Sequence, residues 1–286
     1  RRAAAAPPRA ALEALGPLAD GGSVGLAVGG LAAVGGLGAL LIASDPEKRR
    51  QEMAEGAGGD EMASVKKYFE GDGFGRWQKI YGETDEVNKV QLDIRQGHQQ
   101  TVDKVLDWCD NVKDVTVCDA GCGTGSLAIP LALKGAEVEA SDISSAMAAE
   151  AQERYEKEVA AGAPAPSKAP KFYASDLESV SGKYGLVTCL DVMIHYPQDK
   201  ADAMVSHLAS LSSDKLIISF APKTVYYSIL KRIGELFPGP SKATRAYLHD
   251  ESDVETALNK AGFKVTRRDM TATSFYFSRL LQAERV

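Results

Sequence analysis

The sequence predicts an α/β fold: a doubly wound, mostly parallel sheet ending in an antiparallel C-terminal hairpin, with an N-terminal helical lid and an inserted cap. Three observations carry this. A glycine-rich turn in VCDAGCGTGSLAIP, residues 117–130, joins a strand-length apolar run to a helical one. After it, the apolar runs AEVEASD, KFYASD, YGLVTCLD and DKLIISFA alternate with helical stretches, the pattern of parallel strands joined by crossover helices on both faces. Finally, AGFKVTRRDM and TSFYFSRLLQAE follow each other with no helix between them, so they pair antiparallel at the sheet edge.

Taken in chain order, residues 1–60 are a different kind of sequence from the rest. They open RRAAAAPPRA, with three arginines and no acid before Glu13, as a transit-peptide remnant would, although an Ala/Pro-rich disordered tail has the same composition. No charge falls between residues 21 and 44, and a basic cluster, Lys48 to Arg50, follows. That run is long enough to cross a bilayer, but its eight glycines dilute its apolarity, so it reads as a weakly apolar membrane-associating segment, with spanning and surface attachment both open. EGAGGDE, residues 55–61, is then a linker into the folded domain, residues 61–286. Residues 61–110 supply the lid helices. Trp77 and Tyr81, four apart in GRWQKIYG, share one helix face. Pro130 removes a backbone donor inside the first crossover helix and should shorten it. Residues 221–248 form the cap, where Tyr226, Tyr227, Ile229, Leu230, Ile233, Leu236 and Phe237 mingle with Lys223, Lys231 and Arg232. An amphipathic helix packed on the sheet has the same spacing.

Composition excludes some functions. At 286 residues, 44% hydrophobic and 25% charged, the chain can bury a core, and its formal net charge of -6 argues against a nucleic-acid binder. Cys109, Cys118, Cys122 and Cys189 show neither a CxxC pair nor zinc-ligand spacing, so they read as reduced thiols and no metal site is expected. Cys122, inside the glycine loop, reads as a small filler.

The loop glycines Gly121, Gly123 and Gly125 let a nucleotide-like ligand approach the backbone. Residues 123–128 also satisfy GxGxxA, and Asp142 follows at the distance of a dinucleotide ribose clamp. Asp119 at the mouth of the turn opposes that reading. A diphosphate wants donors there, whereas a carboxylate suits a cation such as S-adenosylmethionine, with its sulfonium and ammonium. Asp119, Asp142 and Asp176 end three successive strands, an arrangement that offers acceptors to a nucleoside's hydroxyls and amino group. Ile143 and Met147 are placed to pack on adenine, Met147 alternatively on the helix core. Leu177 and Leu190 complete the expected cofactor-binding set.

The segments VCDAGCGTGSLAIPLA and VEASDISSAM resemble the cofactor motifs of class I S-adenosylmethionine-dependent methyltransferases, which implies their Rossmann-like fold. The flanks, from YFEGDGFGRWQKIYGETDEVNKVQLDIRQGHQQTV through SFAPKTVYYSILKRIGELFPGPSKATRAYLHD to TSFYFSRLLQAE, resemble the magnesium-protoporphyrin IX methyltransferases of chlorophyll synthesis, of plant and algal chloroplast type. That likeness spans residues 61–286. It implies methyl transfer from S-adenosylmethionine, leaving S-adenosylhomocysteine, to a propionate carboxylate of magnesium-protoporphyrin IX. It also implies plastid membranes, on the stroma side of envelope or thylakoid, peripheral attachment, and contact with the large porphyrin-binding subunit of magnesium chelatase.

A carboxylate is already ionised at neutral pH, so such chemistry asks for alignment and dehydration rather than a strong base. Tyr81 is the candidate to orient the carboxylate while its ring covers the donor. His195, in LDVMIHYP after the fourth strand, is expected to hold the propionate, set its ionisation state or contact the porphyrin metal. Arg95, beside His98 in DIRQGH, is expected to fork the methionine carboxylate. Three alternatives stay open at this point: a quinone-type methyltransferase, a nicotinamide oxidoreductase, and a non-catalytic tetrapyrrole or cofactor binder.

Overall fold

The computed structural model describes residues 61–82, 84–224 and 247–286. Helices α1 (Glu61–Glu70), α2 (Asp72–Tyr81) and α3 (Lys89–Trp108) come first. There follow β1 (Thr116–Ala120), α4 (Ala128–Leu133), β2 (Glu137–Asp142), α5 (Ser145–Ala160), β3 (Lys171–Ala174) and β4 (Tyr184–Cys189). The chain ends with α6 (Gln198–Leu211), β5 (Ser212–Phe220), α7 (Glu251–Lys260), β6 (Phe263–Ala272) and β7 (Phe277–Arg285). Local sequence explains several boundaries. Asn88 starts α3 through a reciprocal cap, its side chain accepting from the Gln91 N–H while Gln91 accepts from the Asn88 N–H. Pro130 does what its missing donor requires: α4 is only six residues long.

The seven strands lie in the order β3-β2-β1-β4-β5-β7-β6. β1 to β5 pair parallel, and β7 runs antiparallel to both β5 and β6. The expected hairpin therefore occupies the sheet edge, with β7 slotted inside β6. Central strands are buried on both faces, so successive residues feed opposite layers. Val117 and Ile217 pack with Val102 and Val105 of α3 and Leu131 of α4. Cys118, Leu216 and Ile218 pack with Met204, Val205 and Leu208 of α6 and Leu258 of α7. Truncating such a leucine to alanine costs roughly 2–5 kcal/mol, which is what fixes the strand ends in place.

The chain winds outward from β1 through β2 to β3, then returns to lay β4 against the other side of β1. At this reversal the loops leaving β1 and β4 diverge and open a crevice beyond the carboxyl ends of the strands. The four cysteines are buried free thiols. The first sixty residues and most of the expected cap, including Tyr226 to Phe237, Lys231 and Arg232, lie outside the described residues. Among the described residues no helix is long and apolar enough to cross a membrane.

Candidate cofactor and substrate site

The glycine loop is built by backbone geometry. Gly121 has φ +83°, and a Cβ there would stand 2.1 Å from Val192 Cγ2, so no larger residue fits. Gly123 has φ +53° and faces open space, which lets a ligand approach its backbone. The Gly121 and Cys122 N–H groups donate to the Ser141 carbonyl at 2.8 and 2.9 Å, tying the loop to β2. Asp142 strengthens the tie, accepting from the Gly123 N–H at 3.0 Å and the Ser144 N–H at 2.9 Å. Burial raises the Asp142 carboxyl above its ordinary range, while those two hydrogen bonds pull it back.

A cavity of about 640 Å³ opens over this loop, within the usual ligand-site range of about 300–1,000 Å³. The strand ends contribute Gly121, Gly123, Asp142, Ile143, Leu190 and Asp191, with Met147 and Leu177 beside them. The lid contributes Phe69, Trp77, Tyr81 and His98, and the segment after β4 contributes His195. Phe275 and Tyr276 come from the turn between β6 and β7. Rings run in contact along one wall. Tyr81 stacks on His98 with centroids 4.4 Å apart, and Trp77 lies 5.2 Å from Tyr81. Phe69 continues the series at 6.2 Å from Trp77 and meets His195 edge-on at 5.5 Å. The lid is held down by polar bonds: Ser144 Oγ donates to the Phe69 carbonyl and Gln78 donates to Glu150.

The ionisable groups here are displaced from their ordinary states. Burial pushes His195 down to about 4 against the pull of Asp191, so its imidazole is neutral at pH 7, and its Nδ1 is buried with no hydrogen-bond partner. Trp77 Nε1 is likewise buried without one. Burial, then Asp191 and Asp142, raise the Tyr81 phenol well above its usual range, leaving it a proton donor. Two unpaired buried polar atoms on cavity-lining residues are what a site for a polar ligand would hold in reserve. The donor set also fits S-adenosylmethionine better than a dinucleotide. Asp142 and Asp191 line the cavity, and among its described lining residues there is no lysine or arginine.

Of the residues singled out from sequence, Tyr81, His195, Gly121, Gly123, Asp142, Ile143, Met147, Leu177 and Leu190 meet at this cavity. Four do not line it. Asp119 is only 2% exposed, buried beneath the loop rather than at its mouth, and accepts from Thr188 Oγ1 at 2.7 Å. Burial lifts its carboxyl to about 6, with the Thr188 bond opposing. Gly125 packs against Ile129 and Ala151. Asp176 is exposed, although its neighbours Ser175 and Leu177 line the cavity. Arg95 lies apart from it. Its guanidinium does not face the cavity but donates to the carbonyls of Ile80 at 2.7 Å, Lys79 at 2.6 Å and Thr84 at 2.9 Å, clamping the end of α2.

Sequence reasoning passed over Asp191. It follows β4 with φ +59°, a strained backbone for a non-glycine residue. Its carboxylate accepts from His98 Nδ1 at 2.8 Å, from the Tyr276 hydroxyl at 2.8 and 3.0 Å, from Ser219 Oγ at 3.0 Å and from Ser278 Oγ at 3.3 Å. Burial pushes this carboxyl up, but His98, Tyr276 and Ser219 outweigh it and hold it below the usual carboxylate range. The signal was present: YGLVTCLD ends in an acid, as AEVEASD and KFYASD do.

Comparison with known proteins agrees with this geometry. Residues 117–214 match the methyltransferase domain family, and residues 189–285 match the family described as magnesium-protoporphyrin IX methyltransferase C-terminus. The chain is 58% identical over 270 residues to the chloroplastic magnesium protoporphyrin IX methyltransferase of Arabidopsis thaliana, covering 93% of this chain and 85% of that protein. It is 52% identical to the magnesium-protoporphyrin O-methyltransferase of Synechocystis, over 79% of this chain and 97% of that protein. A crystal structure of the Synechocystis enzyme with bound S-adenosylhomocysteine superposes with a TM-score of 0.70, covering 78% of this chain and 98% of that one. With a carboxylate-lined crevice at the β1/β4 switch point and such identity along nearly its whole length, the chain belongs to the magnesium-protoporphyrin IX methyltransferase family.

Proposed function

We propose that this protein transfers a methyl group from S-adenosylmethionine to a propionate carboxylate of magnesium-protoporphyrin IX, giving the monomethyl ester, in the chloroplast. The observation that carries the reading is the cavity itself: an acid-lined cofactor end, with Asp142 and Asp191, continuous with a wall of stacked rings. S-adenosylmethionine, when bound, supplies a methyl group activated by its sulfonium. Gly121, Gly123 and Asp142 hold the nucleoside, and Ile143, Met147, Leu177 and Leu190 enclose it. Tyr81 donates its hydroxyl to the acceptor carboxylate, and its ring shuts out water. Neutral His195 offers one ring nitrogen to the propionate or the porphyrin metal. No group has to remove a proton, because the nucleophile is already an anion.

The cap reading finds support in Ala221, Pro222 and Leu248, which flank the undescribed segment and line the cavity. The run between residues 21 and 44, followed by Lys48 to Arg50, supports peripheral attachment at the stroma side of envelope or thylakoid membranes. Contact with the large porphyrin-binding subunit of magnesium chelatase rests on the family resemblance. The deciding experiment supplies S-adenosylmethionine with magnesium-protoporphyrin IX or its metal-free form and follows the product by mass spectrometry. A mass gain of one methyl on a propionate is expected. Turnover of a quinone or other small acceptor, with none of the porphyrin, would replace this reading.

A further inference from the structure

We propose that His98 and Asp191 form a charge-neutralising positioning pair, in which His98 screens a buried carboxylate from the anionic substrate and at the same time seats the ring of Tyr81. The proposal rests on the methyl-transfer reading above. His98 and Asp191 face each other at 2.8 Å, with side chains only 12% and 15% exposed, and both line the cavity. The other groups bonded to the Asp191 carboxylate, Tyr276, Ser219 and Ser278, are neutral hydroxyls, so among the described residues bonded to it His98 is the one whose side chain has a cationic form. His98 meets charged or titratable groups from each element around it: Asp191 after β4, Tyr81 from α2, and Asp119 of β1 through its field.

The cavity has to accept two ligands of opposite sign. An uncompensated Asp191 would attract the sulfonium and repel the propionate, and in a partly dehydrated site both effects are far larger than in water. Pairing removes the repulsion. Because the His98 ring also lies 4.4 Å from that of Tyr81, the bond to Asp191 fixes the surface on which the tyrosine rests. Asp191 is itself held firmly, its N–H donating to Ser219 Oγ at 2.9 Å.

The test uses the full chain as wild type, His98→Gln, Asp191→Asn and the double variant, reading KM for magnesium-protoporphyrin and the calorimetric affinity for S-adenosylmethionine. His98→Gln should raise the porphyrin KM about tenfold, one pKa unit's worth of interaction, while affinity for S-adenosylmethionine holds or tightens. The double variant should bring the porphyrin KM back to within about threefold of wild type, because no bare carboxylate remains. If His98→Gln weakens both ligands alike and the double variant is no better, the pair is merely structural and the proposal is overturned. Should His98→Gln fail to fold, Asp191→Asn decides: weaker S-adenosylmethionine binding with an unchanged or lower porphyrin KM supports it, and a raised porphyrin KM overturns it. A wild type that does not methylate the porphyrin would sink the underlying functional reading instead.

Discussion

Two glycines of one loop should fail in different ways when each is changed to alanine. At Gly121 the new methyl would lie 2.1 Å from Val192 Cγ2, on a backbone with φ +83°. The left-handed conformation costs an L-residue about 1–2 kcal/mol, and forcing a methyl into packed space adds about 1–3 kcal/mol. Gly121→Ala should therefore lower the unfolding free energy by about 2–5 kcal/mol. At Gly123 the backbone term alone applies, since nothing lies within 4 Å of the added carbon. Gly123→Ala should cost only about 1–2 kcal/mol, yet Gly123 lines the cavity and its methyl would take up space there, so affinity for S-adenosylhomocysteine should fall about tenfold or more. Urea unfolding and titration calorimetry on the same preparations separate the two effects. Equal destabilisation by both substitutions, or a Gly123→Ala protein that binds S-adenosylhomocysteine like wild type, would refute this account of the loop.

Four further outcomes are expected. His195→Ala should lose far more turnover than affinity for S-adenosylhomocysteine, and parallel loss would deny it a substrate role. His195 has a folded pKa of about 4 against an unfolded 6.5, so the unfolded chain takes up its proton first as pH falls. The native state thereby loses on the order of 3 kcal/mol between pH 6.5 and 4, and urea midpoints of His195→Gln should be less acid-sensitive in that window than those of wild type. Asp119, raised to about 6, acts in the opposite sense and is common to both proteins. Phe275 lines the cavity although it is 55% exposed, and Asp93 holds its turn by accepting from the Phe275 N–H at 2.7 Å and Thr273 Oγ1 at 2.6 Å. Phe275→Ala should raise the porphyrin KM about threefold to tenfold through lost apolar contact and leave cofactor affinity alone, as paired titrations will check. Arg95→Met should lower stability by about 1–3 kcal/mol by freeing the carbonyls at the end of α2, with S-adenosylhomocysteine affinity changed by less than about threefold; a tenfold loss would return Arg95 to the cofactor.

The sheet was legible because its signals are local. Alternating runs, the glycine turn and the helix-free C-terminal pair each depend on residues close in sequence, and the observed strand order is one that the crossover rules allow. Pro130 foretold the short α4 for the same reason. Site membership was less legible, because it depends on where a side chain points. Arg95 has the right type for a carboxylate, but it lies one helix away from three open carbonyls that lack other partners in sequence terms. Asp119 ends its strand run like Asp142, yet it sits one residue earlier relative to the loop and its side chain turns inward under Thr188. Asp191 escaped because its importance comes from long-range partners, His98 and Tyr276, which are 93 and 85 residues away.

The position of Asp119 alters the reason a cation is preferred. A carboxylate at the mouth of the turn would select the sulfonium by direct contact; buried beneath the loop at 2% exposure and bonded to Thr188 Oγ1, Asp119 does not line the cavity and acts there only through its field. The discrimination against a diphosphate must then come mainly from Asp142 and Asp191, which do line the cavity, together with the lack of lysine or arginine among its described lining residues. The same two carboxylates would oppose an anionic acceptor. Asp142 is drawn toward the Gly123 and Ser144 N–H groups, and Asp191 toward His98. Each acid is thus turned to a donor, which lowers the repulsion that an acceptor carboxylate would meet in the cavity.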